Sequence, residues 1–481
     1  MVKLKDRPKP RFEDDRFIAA VPVPDQREVD DYRWYDGFST IAAIANNPLE
    51  SFNAAQYRDP YTQYKMFGTD FCVINCPELI HHCFVANRHN YKFSAIRQRI
   101  LRAVIGDGLI SAEGEKWQHA RRAMSPMFTP RNVKVFAEMM KQTTLREMPA
   151  VLEAAADNNG ELEIANPMAA LTYLVLSDTL FSGDIDRGKN EILRDVSTAL
   201  LYVGRPDPLD FMGAPDWVPR LTRLRGLKAV KNLREMIAEL TRIRKTERDR
   251  GDNLPDDFLT RLLQVGDDDT RSFSDLEVEE HLLAFIGAGH ETTARALSWL
   301  FYLLSNDTNA RDRLEAEVDA LDIDAVPPEQ WGDQLPFALA CFEETMRLFP
   351  PAPFIARTAI EKDQFTRTDG DTITIPKGTN LILNTWQLHR HKSLWEHADA
   401  FIPERFMGEA REKIGRFQYL PFGVGERVCI GQRFAMQEAM ILVALLARRY
   451  RFEYAGSDVP WPKLRITIQP ENGMPMRITR R

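Results

Sequence analysis

Cysteine is scarce in this chain. Only Cys72, Cys76, Cys83, Cys341 and Cys429 occur in 481 residues. An odd, sparse set of this kind excludes a disulfide framework and fits a reducing compartment. Long apolar runs are also missing. No stretch approaches the roughly 18 consecutive apolar residues that suggest a membrane-spanning helix. The opening MVKLKDRPKPRF is basic and proline-bearing, with no apolar segment behind it, which argues against a cleaved signal peptide. Positive charge is not in excess: 63 Lys and Arg against 70 Asp and Glu leave a net charge of −7. A mildly acidic chain is a poor nucleic-acid binder. Internal repeats, low-complexity linkers and composition shifts are absent, so nothing marks a domain boundary. These absences lead us to expect a cytoplasmic protein without a membrane anchor.

What remains is a globular composition, with 44% hydrophobic, 28% charged and 10% aromatic residues. Most segments read as helix. Ser274 and Glu277 form a capping-box pattern ahead of an apolar run, which predicts a helix over 274–305 that crosses the core. A second helix is expected over 336–349, with Pro336 in its first turn and Pro350-Pro351 as the stop. A third is expected over 431–450. Three regions read as strand. FCVIN, within 61–77, suits a small sheet. DTITI and LILN, joined by the turn PKG within 371–384, read as a hairpin. LRITIQPENGMPMRI reads as two strands around a turn. Cys72, Cys76 and Cys83 lie near His81 and His82, but the spacing matches no common zinc pattern. They are expected to be small buried apolar residues, and Cys341 sits on an apolar helical face.

Four segments carry chemistry. The first is Phe422-Gly423-Val424-Gly425-Glu426-Arg427-Val428-Cys429-Ile430-Gly431. A cysteine in a glycine-rich loop at a helix start can be held as thiolate by backbone N–H groups and the helix dipole. Gly425 and Gly431 would let the backbone wrap close to a flat cofactor, Arg427 is placed to meet an anion, and Phe422 to pack near the sulfur. The second is Ala288-Gly289-His290-Glu291-Thr292-Thr293. Gly287 and Gly289 each cost a helix about 1 kcal/mol against alanine, which suggests that small residues are needed there. The Thr292 hydroxyl is expected to bond back to the Ala288 carbonyl. The third is Glu344-Thr345-Met346-Arg347, where Glu344 and Arg347 share a helix face. An exposed pair of this kind would contribute well under about 1 kcal/mol. The fourth is Trp117-Gln118-His119-Ala120-Arg121, whose indole and guanidinium can both donate to a carboxylate.

Together these segments resemble the cytochrome P450 family, over about residues 60 to 480. The cysteine loop matches the family's haem-binding signature of Phe, two residues, Gly, one, Arg, one, Cys, one, Gly. The resemblance implies one mainly α domain with a small β region, overriding the two or three domains that the length suggests. It places the whole chain, 1–481, in a single haem domain, with 1–59 as an N-terminal extension. It implies haem b (iron protoporphyrin IX) as cofactor, with Cys429 as the ligand to the metal. Phe422, Gly423, Gly431 and Ala288 would line the haem. Trp117, Arg121, Arg357 and Arg427 would hold its propionates. Glu291 and Thr292 match the family's acid–alcohol pair, which relays protons during dioxygen activation, and His290 occupies a variable position. Glu344, Arg347 and Arg405 would form a structural triad. Phe285, Ala288, Thr292, Phe354 and Met474 are candidates for the substrate pocket.

The implied activity is a monooxygenase that oxygenates a mainly apolar small molecule. It would use O2 and two electrons from NAD(P)H, brought by a separate ferredoxin or flavodoxin with its reductase. About fifty residues follow Cys429, so no fused reductase is expected. The wording AGHETT and PFGVGERVCIG is closer to the fatty-acid-hydroxylating branch than to the camphor type. Two alternatives are a peroxide-driven peroxygenase, whose members replace the acid–alcohol pair, and a non-catalytic haem-binding protein, which has no need of it. The basic residues Lys116, Arg122, Lys413, Arg416 and Arg433 fall in segments expected around the cysteine loop, where they could steer an acidic redox partner.

Overall fold

Helix accounts for 56% of the molecule and strand for 15%, in a single-domain fold. The computed structural model describes residues 7–19, 21, 44, 46–66, 68–157, 160–183, 189–203, 207, 209, 217–265 and 271–481. Five helices position the site: α1 (Gly114–Met124), α2 (Ala165–Phe181), α3 (Asp275–Asn306), α4 (Pro336–Leu348) and α5 (Gln432–Arg449). Among the described residues, no helix is long and apolar enough to cross a membrane.

Local signals set the helix ends. Ser274 Oγ accepts the Glu277 N–H at 3.3 Å, and the Glu277 carboxylate takes the Ser274 N–H at 3.0 Å. This capping box starts α3 where the sequence predicts it. The helix then buries nearly every face, and its Trp299 stacks on Phe349 at 4.0 Å. Helix α4 begins with Pro336, and its free N–H groups at Phe337 and Ala338 are taken by the two oxygens of Glu317 at 3.0 and 2.8 Å.

The strands form β1 (Tyr61–Met66), β2 (Thr69–Ile74), β3 (Tyr91–Phe93), β4 (Phe354–Ala359), β5 (Asp363–Thr366), β6 (Thr372–Ile375) and β7 (Asn380–Asn384). A five-stranded sheet has the order β1-β2-β7-β4-β3, with β2 and β7 parallel and the rest antiparallel. FCVIN supplies most of β2, as expected. The expected DTITI–LILN hairpin does not form. DTITI (β6) pairs with β5 instead, while LILN (β7) lies between β2 and β4. The cause is local: Asp369-Gly370 is itself a hairpin turn, with Gly370 at φ 89°. The PKG turn docks on β4 through the Gly378 N–H to the Ala359 carbonyl at 2.9 Å, which carries the chain across rather than back.

The C-terminal expectation of two strands around one turn is also corrected. Pro462–Leu464 pairs with Ile468–Pro470, whereas Pro475–Arg480 joins Tyr450–Tyr454 and Glu161–Glu163. The strands on either side of the Glu471–Met474 turn therefore enter different sheets. Cys72, Cys76 and Cys83 sit in a second apolar core with Leu79 and Ile80, and Cys341 sits in the main one, as expected for small buried residues. Burial pushes the Cys83 thiol up to about 12. Of the expected N-terminal extension, residues 1–6, 20, 22–43 and 45 lie outside the described residues. Within the rest, Phe17 enters the main core, and the Tyr57 hydroxyl accepts the Trp386 indole N–H at 3.1 Å.

The Glu344–Arg347 pair is not the exposed pair that the sequence first suggests. Both side chains are 0% exposed. Arg347 donates to both oxygens of Glu344 at 2.6 and 2.7 Å, and to the carbonyls of His389, Ala398 and Ala400 at 2.6–2.9 Å. Glu344 also accepts the Ile402 N–H at 2.8 Å, and Arg405 Nε stands 3.5 Å away. All three expected members meet. Breaking such a buried pair strands the surviving charge. Arg347→Ala is expected to destabilise the fold by about 3–5 kcal/mol, read from denaturant unfolding. Stability within error of the wild type would contradict this account.

Candidate active site

The cysteine loop closes on itself through the Cys429 N–H, which donates to the Phe422 carbonyl at 2.9 Å. Gly423 has φ 81° and Gly425 φ 71°, conformations that favour glycine. Gly425 is further constrained by packing: a Cβ there would lie 2.4 Å from the Phe84 carbonyl oxygen. Its close approach is thus to the protein's own backbone, not to a cofactor as the sequence suggested. At Gly431 a Cβ would meet only the Cys429 sulfur, at 4.0 Å.

Cys429 is exposed, whereas the other four cysteines are buried. Protein still surrounds it closely. Desolvation raises its thiol above the usual range, while the Gly431 N–H and the positive charge of Arg121 oppose that rise. An accessible sulfur with a backbone donor, a nearby guanidinium and the start of α5 beyond it is suited to ligate a cation as thiolate. Phe422 is half-buried beside it.

Three guanidinium groups crowd one aromatic ring. Arg97, Arg357 and Arg427 stand 4.0, 4.2 and 4.5 Å from the Phe93 centroid, and Arg427 also lies 3.8 Å over Trp117. The nearby acid, Glu113, already accepts the Phe93 N–H at 2.9 Å and the Gln98 amide at 3.0 Å. Burial first, then the other two cations, pulls Arg357 down to about 9. Burial likewise lowers Arg97 and Arg427 to about 10. One buried nitrogen, Arg97 Nη1, has no hydrogen-bond partner. Such a donor-rich, positively charged pocket fits the two carboxylates of haem. Arg97 was not singled out in the sequence, because nothing separates it from Arg99 and Arg102 in the same helical run. Arg121, one turn beyond Trp117, acts electrostatically on both Cys429 and Arg427.

Helix α3 presents Phe285, Ala288 and Thr292, all half-buried, along one face by their spacing of three and four. The Thr292 hydroxyl donates to the Ala288 carbonyl at 2.8 Å, as the sequence predicts. Phe285 also joins an aromatic cluster, stacked on Phe128 at 5.4 Å and tilted against Phe258 at 4.3 Å. The two glycines differ. A Cβ at Gly287 meets nothing within 4 Å, whereas one at Gly289 would lie 2.8 Å from Leu176 of α2. Gly289 therefore serves helix packing rather than a ligand. His290 is a core residue: its Nδ1 is 2.7 Å from the Ile286 carbonyl, and its own carbonyl accepts the Thr172 hydroxyl at 3.0 Å.

Glu291 and Thr292 take different hydrogen-bond partners. Glu291 Oε1 accepts the Thr467 hydroxyl at 2.9 Å and lies 3.4 Å from Arg295, while its buried Oε2 has no partner. Phe354 is half-buried against Phe52 at 5.8 Å. Met474 departs from expectation. It is fully buried in the main core, with its N–H donated to Glu163 at 2.6 Å, so it does not share the half-buried character of the other pocket candidates.

A helical body that gathers one open cysteine, a pocket of guanidiniums and a half-buried helix face has the make-up of a haem enzyme. The chain belongs to the cytochrome P450 family, whose model matches residues 39–475. It is a P450 monooxygenase, an oxidoreductase with haem iron as its cofactor. Relatives include a cyclooctatin synthase of Streptomyces melanosporofaciens, 28% identical over 402 residues, covering 83% of this chain and 84% of the relative. A cytokinin hydroxylase of Arabidopsis thaliana is 30% identical, covering 79% and 73%. Cytochrome P450 4F12 of Homo sapiens is 28% identical, covering 96% and 90%. Among solved structures, a cytochrome P450 (CYP102L1) superposes with a TM-score of 0.74 at 25% identity, covering 89% of this chain and 93% of that one.

Arg97→Ala is expected to weaken haem retention. Losing one charged hydrogen bond of about 1.5–3 kcal/mol corresponds to roughly tenfold or more in affinity. Haem transfer to apomyoglobin at a wild-type rate would show that Arg97 holds no propionate.

Proposed function

We propose that Cys429 ligates the iron of haem b as thiolate, and that the enzyme uses O2 to oxygenate a mainly apolar small molecule, with electrons from NAD(P)H delivered by separate redox proteins. The observation that carries this reading is the single exposed cysteine beside the arginine pocket. In this family the haem supplies the redox centre, and its cysteine ligand favours O–O cleavage. The chain's own residues do the rest. Arg97, Arg357, Arg427 and Trp117 orient the cofactor's carboxylate edge. Phe422 and Gly431 flank the sulfur.

Thr292 spends its proton on the Ala288 carbonyl, which leaves its Oγ lone pairs to accept a hydrogen bond and hold a proton donor in place. Glu291, tethered by Thr467 and Arg295, keeps Oε2 available to take up and release a proton. Because the two side chains point to different partners, transfer between them requires a bridging water or a rotation of Glu291. The half-buried face of Phe285 and Ala288, with Phe354, supports an apolar substrate. The relatives named as a cytokinin hydroxylase and a cyclooctatin synthase support hydroxylation of a small molecule. The exposed basic residues Lys116, Arg122, Lys413, Arg416 and Arg433 support docking of an acidic ferredoxin or flavodoxin near the cysteine loop. Five unpaired cysteines support a cytoplasmic setting.

Thr292→Ala is expected to consume reductant at a near wild-type rate while releasing peroxide in place of product. Peroxide yield per NAD(P)H is the measure, and unchanged coupling would show that protons reach the site by another route.

A further inference from the structure

The loop 106–112 leads from helix Ala95–Ile105 toward α1 and lies against the first half of α3. Two glycines let it come close. A Cβ at Gly108 would lie 2.5 Å from the Glu280 carbonyl oxygen, and one at Gly106, which has φ 62°, would overlap the Glu280 carboxylate. In the middle of the loop the Leu109 N–H donates to Nδ1 of His281 at 3.1 Å. His281 is 3% exposed, and burial lowers its pKa to about 4. The ring is therefore neutral at physiological pH, with its proton on Nε2 and Nδ1 able to accept. The chemistry proposed above does not use this imidazole.

The same loop holds two of the arginines of the cationic pocket. The Ile110 carbonyl accepts Arg97 Nη2 at 3.2 Å, and the Ala112 carbonyl accepts Arg427 Nη1 at 2.8 Å. Ser111, between those two carbonyls, ties the loop to itself. Its hydroxyl donates to the Gly106 carbonyl at 2.6 Å, and its N–H to the Gly108 carbonyl at 2.9 Å. Each arginine thus has one nitrogen fixed on a loop carbonyl, while Arg97 Nη1 stays buried without a partner. A guanidinium is a rigid planar fork, so fixing one nitrogen sets the direction of the others.

We propose that His281 is a positioning residue for the carboxylate edge of the haem. By accepting the Leu109 N–H it seats the 106–112 loop on α3, and the loop carbonyls then aim Arg97 and Arg427 into the pocket. The inference deepens the proposed function and rests on the haem carboxylates lying in that pocket.

The test is haem transfer from the full holoprotein to apomyoglobin, with resonance Raman spectra of the same samples. The propionate bending modes in those spectra respond to hydrogen bonds on the carboxylates. His281→Leu should speed transfer by about two- to tenfold, the effect of one lost hydrogen bond, and should shift the modes. His281→Asn should restore both readouts, because its Oδ1 stands where Nδ1 does and can take the same N–H. A histidine that served only core packing would not be rescued in this way. In the double variant with Arg97→Ala, the two effects should sum to less than additivity, since both act through one contact. Gly108→Ala lifts the loop without touching the imidazole and should reproduce the His281→Leu result. It carries the test if His281→Leu does not fold. Wild-type transfer and modes in His281→Leu, no rescue by Asn, or fully additive effects in the double variant would overturn the proposal. Faster transfer in Arg97→Ala beside an unchanged His281→Leu would overturn the role of His281 alone. Wild-type transfer in Arg97→Ala would overturn the carboxylate pocket and the role of His281 with it.

Discussion

The Cys429 loop hangs from one buried ion pair. Glu344 and Arg347 satisfy each other, and Arg347 donates to three carbonyls of the 389–400 segment. His389, whose carbonyl is one of them, accepts the Leu420 N–H on its Nε2 at 2.8 Å. Burial, with Arg347 and Arg390 close by, holds that imidazole well below its usual pKa, so it is neutral and able to accept. The Leu420 carbonyl then takes the Gly423 N–H at 3.1 Å, and the Phe422 carbonyl takes that of Cys429. A short hydrogen-bonded chain therefore runs from the pair to the sulfur-bearing residue. Taking two charges out of water costs more than their attraction alone returns. What offsets the cost is the set of main-chain partners, and these are what locate the loop.

The site's electrostatics depend on that placement. Arg427 belongs to the same loop, and it brings one of three guanidiniums onto the Phe93 ring. Like charges at this spacing disfavour one another, and an anion sharing the pocket would relieve them. On the other side of the loop, Gly431 and Arg121 oppose the desolvation of the sulfur. One backbone segment thus presents a cationic clamp and a potential anionic ligand a few residues apart. A flat cofactor with a metal at its centre and carboxylates at its rim matches that pattern.

Much of this was legible in the sequence, because the decisive signals are local. The capping box at Ser274, the proline stop after Phe349, the glycine-rich cysteine loop and the Thr292 back-bond all depend on residues a few positions apart. What was not legible depends on distant partners. DTITI and LILN each read as strand, but only the fold decides which strand each meets. Gly425 reads as room for a flat cofactor and Gly289 as a place for a small residue, yet they make room for the Phe84 backbone and for Leu176. Arg97 looked like any arginine in a basic helix until Arg357 and Arg427 were brought to it. Met474 reads as a pocket candidate in the sequence, whereas the fold buries it in the main core.

The central claim is that Cys429 is the thiolate ligand while the arginine pocket independently holds the carboxylate edge. The most direct measurement is the reduced carbon-monoxide spectrum of wild type and Cys429→Ser, recorded at equal haem content. The account predicts the family's red-shifted Soret band in the wild type and its loss in a variant that still contains haem. A red-shifted band that survives in Cys429→Ser, or that never forms in haem-loaded wild type, would contradict it.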